Sequence, residues 1–366
     1  MIRVLIVDDS AVVRKVLSDE LSKYRDIQVV GTAIDPYVAR DKIVKLHPDV
    51  ITLDVEMPRM DGLSFLAKLM KHYPTPVVIV SSLTPEGSAS AIRALQLGAV
   101  EVISKPGSRY SVPDVGRQLV RAIRIAAGAR PTANIGPDPE PPKATTLPLL
   151  PPAANNRVIA IGASTGGTQA IEKVLIGLPA NCPGVAIVQH MPEHFTATFA
   201  ERLNEVCEMR VREARDSDRI RQGLALVAPG NRHLIVQRDA GEYIVRVKDG
   251  AMVHHQRPSV DVLFYSVASN VGSNAIGVLL TGMGADGAKG LLAIRENGGA
   301  TIVQDEDTCV VFGMPKEAIK LQAAMEIAPL QKISQAILSR LTSPGNARPV
   351  VPVDAVPDDR RHLTAE

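Results

Sequence analysis

Apolar and polar positions along this chain fall into short runs that switch between two periods. In the first part, apolar and β-branched runs occur at Arg3–Val7, Gln28–Ala33, Val50–Leu53, Pro76–Val80 and Ala99–Ile103. Each is followed by apolar residues at helical spacing, near Ala11–Lys23, Pro36–Leu46, Gly62–Lys71, Glu86–Leu97 and Pro113–Ala127. Strands that are apolar on both faces and joined by helical crossovers predict a doubly wound parallel sheet. The pattern resumes further on. Arg157–Ile161, Gly184–Gln189 and Ala275–Leu280 read as buried strands, with helical segments at Thr168–Leu178, Ala197–Val206 and Ala288–Asn297. Leu224–Val253 is less regular, and its short Val/Ile-rich runs predict hairpins.

Between the two halves, residues 131–152 carry eight of the 27 prolines. Proline removes an amide donor, so this stretch propagates neither a helix nor a central strand and predicts a semi-rigid spacer. The segment Thr342–Glu366 has no periodicity and is rich in Pro, Asp and Arg, which predicts a disordered tail. The expected layout is an α/β domain over 1–128, a proline-rich linker over 129–154, a second α/β domain over 155–341 and a tail over 342–366.

Composition narrows the partners. The net charge is +2 with no long block of like charge, and aromatic content is 3% with no Trp. Neither a nucleic-acid footprint nor a stacking surface for single strands is indicated. No apolar run is long enough to span a bilayer, and Met1-Ile2-Arg3 begins a strand rather than a signal peptide, so membrane insertion is not expected. Cys182, Cys207 and Cys309 are scattered, odd in number and without zinc spacing, which fits a reduced cytoplasmic protein.

Candidate chemistry sits at strand ends. In the first half, the strands end in Asp8-Asp9, Asp54, Ser81-Ser82 and Ser104-Lys105-Pro106. A parallel sheet gathers these residues at its carboxyl edge. Carboxylates converging there repel unless a hard cation such as Mg²⁺ neutralises them. A lysine and a hydroxyl opposite can take a phosphoryl group. Strand-end aspartates also serve as turn formers and N-caps, which accounts for one or two of them.

In the second half, RVIAIGASTGG carries Ser164 on a strand–turn–helix junction, where helix N–H groups favour negative charge. Taken alone, this turn is equally a ligand cradle, although GASTGG fits neither G-x-G-x-x-G nor a P-loop. His190 in QHMPEHF and Asp286 in TGMGADG also follow apolar strands. An imidazole activates a serine by taking its proton, and a carboxylate fixes the imidazole. The glycines of TGMG leave amides free, so an oxyanion site at Met283 or Gly284 fits. Singly, Ser164 and Asp286 also read as helix caps and His190 as a hydrogen-bonded strand-end residue. The order Ser…His…Asp is not that of an α/β-hydrolase. The remaining histidines offer no three-ligand zinc cluster, so metal-assisted hydrolysis is not expected.

With VDDS, LDVEMPRMDG, VSS and SKPG, the first 125 residues or so resemble a two-component response-regulator receiver. The resemblance implies Asp54 as phosphoacceptor and Mg²⁺ held by Asp8, Asp9 and Asp54 with the backbone carbonyl of Glu56. It further implies Ser81 and Lys105 as readers of the phosphoryl group, and a cis Lys105–Pro106 bond. Val102 stands where many receivers carry a switching aromatic, so an aromatic switch is not expected. Adding GASTGG, QHMP and TGMGADG, residues 1–341 resemble the bacterial chemotaxis protein-glutamate methylesterases. That resemblance implies a flavodoxin-like receiver and a Rossmann-like methylesterase domain. It implies Ser164 as nucleophile, His190 as general base and acid, and Asp286 as orienting carboxylate, with Met283 supplying an oxyanion amide and Thr165 an assisting hydroxyl. It implies hydrolysis of γ-glutamyl methyl esters on chemoreceptors, with deamidation of glutamines as similar chemistry and no cofactor for the ester step. A histidine kinase would be the phosphodonor, and the chain would act as a monomer. A nucleotide-binding regulator, a DNA-binding regulator and a catalytically silent receptor-binding scaffold are the alternatives; the first two lack their motifs, and the third stays open.

Overall fold

The computed structural model describes residues 1–57, 62–82, 84–105, 112–129 and 156–342. The proline-rich linker, the tail and the Lys105–Pro106 bond lie outside these residues. Five strands, β1 (Ile2–Val7), β2 (Ile27–Ala33), β3 (Val50–Leu53), β4 (Val77–Ser81) and β5 (Glu101–Ser104), alternate with α1 (Ala11–Leu21), α2 (Pro36–Leu46), α3 (Gly62–His72), α4 (Pro85–Gln96) and α5 (Val112–Ala127). Ser10, Asp35 and Thr84 cap α1, α2 and α4 through their side chains, the short polar residues that hold a helix start. The strands form one parallel sheet in the order β2-β1-β3-β4-β5. This order reverses direction beside β1, so the ends of β1 and β3 meet at the switch point where such sheets bind ligands.

The second unit is built on β6 (Val158–Ala163), which α6 (Gly167–Ile176) joins to β7 (Val185–Gln189). Then come α7 (Phe195–Val206), β8 (Arg210–Glu213), β9 (Leu224–Val227) and an antiparallel hairpin of β10 (His233–Asp239) and β11 (Glu242–Lys248). The helix α8 (Val260–Val271), β12 (Ala275–Leu279), α9 (Ala288–Glu296), β13 (Ala300–Gln304), α10 (Met314–Lys320), β14 (Glu326–Ala328) and α11 (Leu330–Thr342) complete it. Seven strands form a parallel sheet in the order β14-β13-β12-β6-β7-β9-β8. The expected hairpin region divides in two. The strands β10 and β11 pair antiparallel, whereas β9 joins the parallel sheet between β7 and β8, where all four of its residues are buried.

The two units pack through α4, which lies against α6 and α7, and one apolar cluster includes buried residues of both sheets. Gln169 Nε2 donates to the Leu95 carbonyl at 2.6 Å, and Gln96 Nε2 donates to Glu172 Oε2 at 2.8 Å. No described helix is long and apolar enough to cross a membrane.

Within the second sheet, β6 ends against α8 at closest approach. A Cβ on Gly162 would stand 2.1 Å from Val260 Cγ1. Gly162→Ala is expected to destabilise the fold by about 1–3 kcal/mol through overpacking. Thermal unfolding checks this, and adding Val260→Ala to the same chain should recover part of the loss.

Candidate active site

The register of β6 assembles the site. Ala163 pairs with Gln189 on β7, and Gly162 pairs with Leu279 on β12. The next residues therefore place Ser164 between His190 and Thr281. Two main-chain bonds carry this beyond the strands: His190 N donates to Ala163 O at 3.1 Å, and Ser164 N donates to Thr281 O at 3.0 Å. A Cβ on Gly282 would meet Ser164 Cβ at 2.7 Å, so only glycine lets the TGMG turn pass this close to the serine. Met283, the expected oxyanion residue, lies on that turn and is 43% exposed. Gly166 caps α6 at φ +77°, a left-handed conformation that glycine adopts without strain. Ser164 and Thr165 are both buried.

His190 and Asp286 are joined directly. His190 Nε2 lies 2.8 Å from Asp286 Oδ2, and both side chains are almost fully enclosed. The carboxylate is saturated with donors. Oδ1 accepts from Ser259 Oγ at 2.8 Å and from Asp261 N at 2.9 Å, and Oδ2 also accepts from Val260 N at 2.8 Å. Asp286 thus caps the N-terminus of α8, an element distant in sequence, rather than the helix α9 that follows it. Burial pushes its pKa up, but the hydrogen bond and charge of His190 and the α8 amides outweigh burial and hold it below 3.8. An ionised carboxylate only accepts, so Nε2 donates to Oδ2 and Nδ1 is the ring nitrogen that Asp286 does not engage. Nδ1 is buried with no hydrogen-bond partner among the described residues. Ser164 and His190 line one cavity of about 210 Å³ without a hydrogen bond between their side chains. Catalytic contacts of this kind often tighten only when substrate is bound.

Sequence reasoning missed α8 and a second imidazole–carboxylate pair. Asp261 Oδ1 accepts from Gly290 N at 2.7 Å, and Oδ2 lies 3.0 Å from His254 Nε2. His254, Asp261 and Asp286 come together closely enough to face a metal ion. The oxygens of both carboxylates are nevertheless already engaged by donors. The signal for α8 was present in Ser259 followed by an apolar helical run, but nothing local links it to Asp286.

At the other sheet's edge, Asp8 and Asp54 are buried and Asp9 is exposed. Lys105 Nζ lies 2.6 Å from Asp54 Oδ2 and 3.4 Å from Asp8 Oδ2. Burial opposes the Lys105 ammonium, yet Asp54 and Asp8 outweigh it and raise its pKa. Burial raises the Asp8 pKa despite Lys105. One oxygen each from Asp8, Asp9 and Asp54 lies within 4.8 Å of the others. This all-oxygen set, with Asp8 Oδ2 buried and unbonded apart from the nearby ammonium, fits a hard cation. Glu56 N donates to Asp54 Oδ1 at 2.9 Å, and the Glu56 carboxylate accepts from Ser82 N. The Ser81 hydroxyl donates to the Gly87 carbonyl on α4 at 3.0 Å.

Comparison with known proteins matches both halves. The response regulator receiver domain model covers residues 4–114, and the CheB methylesterase model covers residues 159–337. The protein-glutamate methylesterase/protein-glutamine glutaminase 2 of Syntrophus aciditrophicus is 56% identical, over 92% of this chain and 98% of its own. This chain belongs to the CheB methylesterase family. A similarly named relative from Pseudomonas savastanoi is 54% identical over 93% of this chain and 99% of its own. The crystal structure of the Thermotoga maritima CheB methylesterase catalytic domain superposes with a TM-score of 0.50 at 36% identity, covering 50% of this chain and 98% of that one. The family is one of enzymes built with a receiver domain, and both parallel sheets fit it.

The donor set of Asp286 generates a stability prediction. Asp286→Ala leaves three buried donors at the start of α8 without an acceptor and is expected to cost about 3 kcal/mol or more. Because the folded pKa lies below 3.8, this contribution is present above that value and is lost as pH falls through the folded pKa. Denaturant midpoints measured against pH should show the wild-type advantage shrinking only in acid.

Proposed function

We propose that this chain is a phosphorylation-activated serine hydrolase that removes methyl groups from γ-glutamyl methyl esters on chemoreceptor cytoplasmic helices. Deamidation of receptor glutamines to glutamates is the companion activity, and chemotactic adaptation the outcome. The single observation that carries this reading is the enclosed His190–Asp286 pair beside Ser164, within a chain more than half identical over most of its length to a named methylesterase.

In this mechanism, His190 Nδ1 takes the Ser164 proton as Oγ attacks the ester carbonyl. Asp286 holds Nε2–H and stabilises the imidazolium that forms. The developing oxyanion is received by main-chain amides of the turn at Met283, with the Thr165 hydroxyl assisting. His190 returns the proton to the leaving methoxide, and methanol departs. Water, deprotonated by the same nitrogen, then hydrolyses the acyl-serine to a glutamate carboxylate. Ammonia replaces methanol when the substrate is a glutamine.

The receiver supplies control. Asp54 accepts a phosphoryl group from a histidine kinase, and Lys105, now 2.6 Å from Asp54 Oδ2, would exchange that contact for the phosphoryl group. Asp8, Asp9 and Asp54, with the Glu56 carbonyl, would hold Mg²⁺, which offsets the charge of phosphoryl transfer. Ser81 would have to leave Gly87 to reach the phosphoryl oxygens, a change on the α4 side that faces the catalytic unit. The working units are 1–128 and 155–341 joined by the 129–154 linker, acting as a cytoplasmic monomer. In the unphosphorylated chain, the receiver packs over the edge that carries Ser164, and phosphorylation shifts the population toward an open state. Moving a mostly closed population to a mostly open one needs on the order of 3–5 kcal/mol.

The test is methanol release from methylated receptor membranes, with and without Mg²⁺ and a small phosphodonor. Ser164→Ala is expected to lower release by about a thousandfold or more. Asp54→Ala should keep the basal rate and lose the response to phosphodonor. Release that survives Ser164→Ala would overturn the nucleophile assignment.

A further inference from the structure

The cavity that holds Ser164 and His190 is closed on one side by the receiver, and the group presented there is a glutamate. Glu101 opens β5, and its carboxyl accepts a hydrogen bond from the Thr165 hydroxyl, the residue next to Ser164. As a residue Glu101 is only part-buried, yet its Oε2 is sealed from solvent and has no hydrogen-bond partner. A carboxylate oxygen left this way is costly, and a carboxylic acid is less so. The group from the receiver that offsets it is Arg121 on α5. That guanidinium also faces across the junction: with the Gln256 amide turned so that its oxygen accepts, Arg121 Nη1 lies 2.7 Å away. The other titratable or charged groups on the cavity wall are His190, Glu193, His255 and Arg257.

We propose that Glu101 is an internal analogue of the reaction product, a glutamic acid side chain that the receiver lodges in the carboxyl subsite at Thr165 to hold the site closed. This rests on the reading above, in which the product is a glutamyl carboxyl group. A free glutamyl side chain is what the enzyme leaves behind after each turnover, so the Glu101 carboxyl against Thr165 occupies the place that product would take. The linker makes this ligand intramolecular, and a tethered group competes at high effective concentration even when its own affinity is weak.

The subsite also makes closure depend on pH. Enclosure raises the Glu101 pKa from 4.5 to about 7, against the opposing effects of Arg121 and the Thr165 hydroxyl. In the open state the side chain is solvated and titrates near its ordinary value. Closing therefore binds a proton at intermediate pH. As pH falls below 7, closure gains up to about tenfold per unit until the open-state pKa is reached; above 7 the gain is gone.

The experiment measures methanol release by the unphosphorylated full-length chain, its Glu101→Ala and Glu101→Gln variants, and Ser164→Ala, across this pH range. A short peptide bearing a free glutamate side chain serves as inhibitor. Glu101→Ala is expected to exceed wild type by about threefold or more below pH 7, with the ratio shrinking as pH rises. Glu101→Gln, which keeps the neutral shape, should stay slow without that pH dependence. The peptide should inhibit Glu101→Ala at lower concentration than wild type, because its subsite is vacated. Equal rates for wild type and Glu101→Ala at every pH would overturn the proposal, as would peptide inhibition that is unchanged by Glu101→Ala. Release that persists in Ser164→Ala would instead strike the underlying hydrolase reading, so the two failures are told apart.

Discussion

The catalytic unit depends on β6 being paired in parallel on both sides. Its neighbours β12 and β7 are reached by crossovers in opposite directions, so the carboxyl end of β6 opens at a switch point, as parallel sheets require of their ligand sites. The register then leaves little freedom. With Ala163 opposite Gln189 and Gly162 opposite Leu279, Ser164, His190 and Thr281 emerge side by side. Small residues keep the gap narrow: Gly282 lies against Ser164, and Gly162 lies against Val260. A bulkier residue at either position would push β6, α8 or the TGMG turn outward, and the serine would move with them.

The second constraint is electrostatic. Asp286 is buried as an anion, which is tolerable only because four donors from His190 and the start of α8 meet its two oxygens. The same contacts fix the imidazole: Nε2 is committed to Asp286, and Nδ1 is the nitrogen left without a partner. The receiver edge solves a related problem differently. Asp8 and Asp54 are buried with a single lysine between them, and Asp8 retains an oxygen that a cation could take. One carboxylate is saturated with donors, while the other cluster is left short of them.

The junction between the units joins these two designs. The helix α4, which carries the Gly87 carbonyl bonded by Ser81, also packs on α6 and α7. Ser81 at one sheet edge is thus bonded to the helix that packs on the other unit. Glu101 lies one strand away, with its carboxyl against Thr165. The contacts of the receiver with the second unit thus gather on β5 and the helix α4 beside it.

By itself, the sequence determined the two parallel sheets, because apolar runs alternating with helical spacing allow few other ways to bury both strand faces. It also set Ser164, His190 and Asp286 after strands of one unit and Asp8, Asp54 and Lys105 after strands of the other, and strand ends of a parallel sheet share an edge. Tertiary structure alone decided which helix Asp286 caps, which imidazole nitrogen is free, that Ser81 faces α4, and that β9 belongs to the sheet rather than to a hairpin. It also decided that Glu101 meets Thr165. These are contacts between segments far apart in the chain, set by strand order and domain packing, and local propensity and spacing carry no information about them.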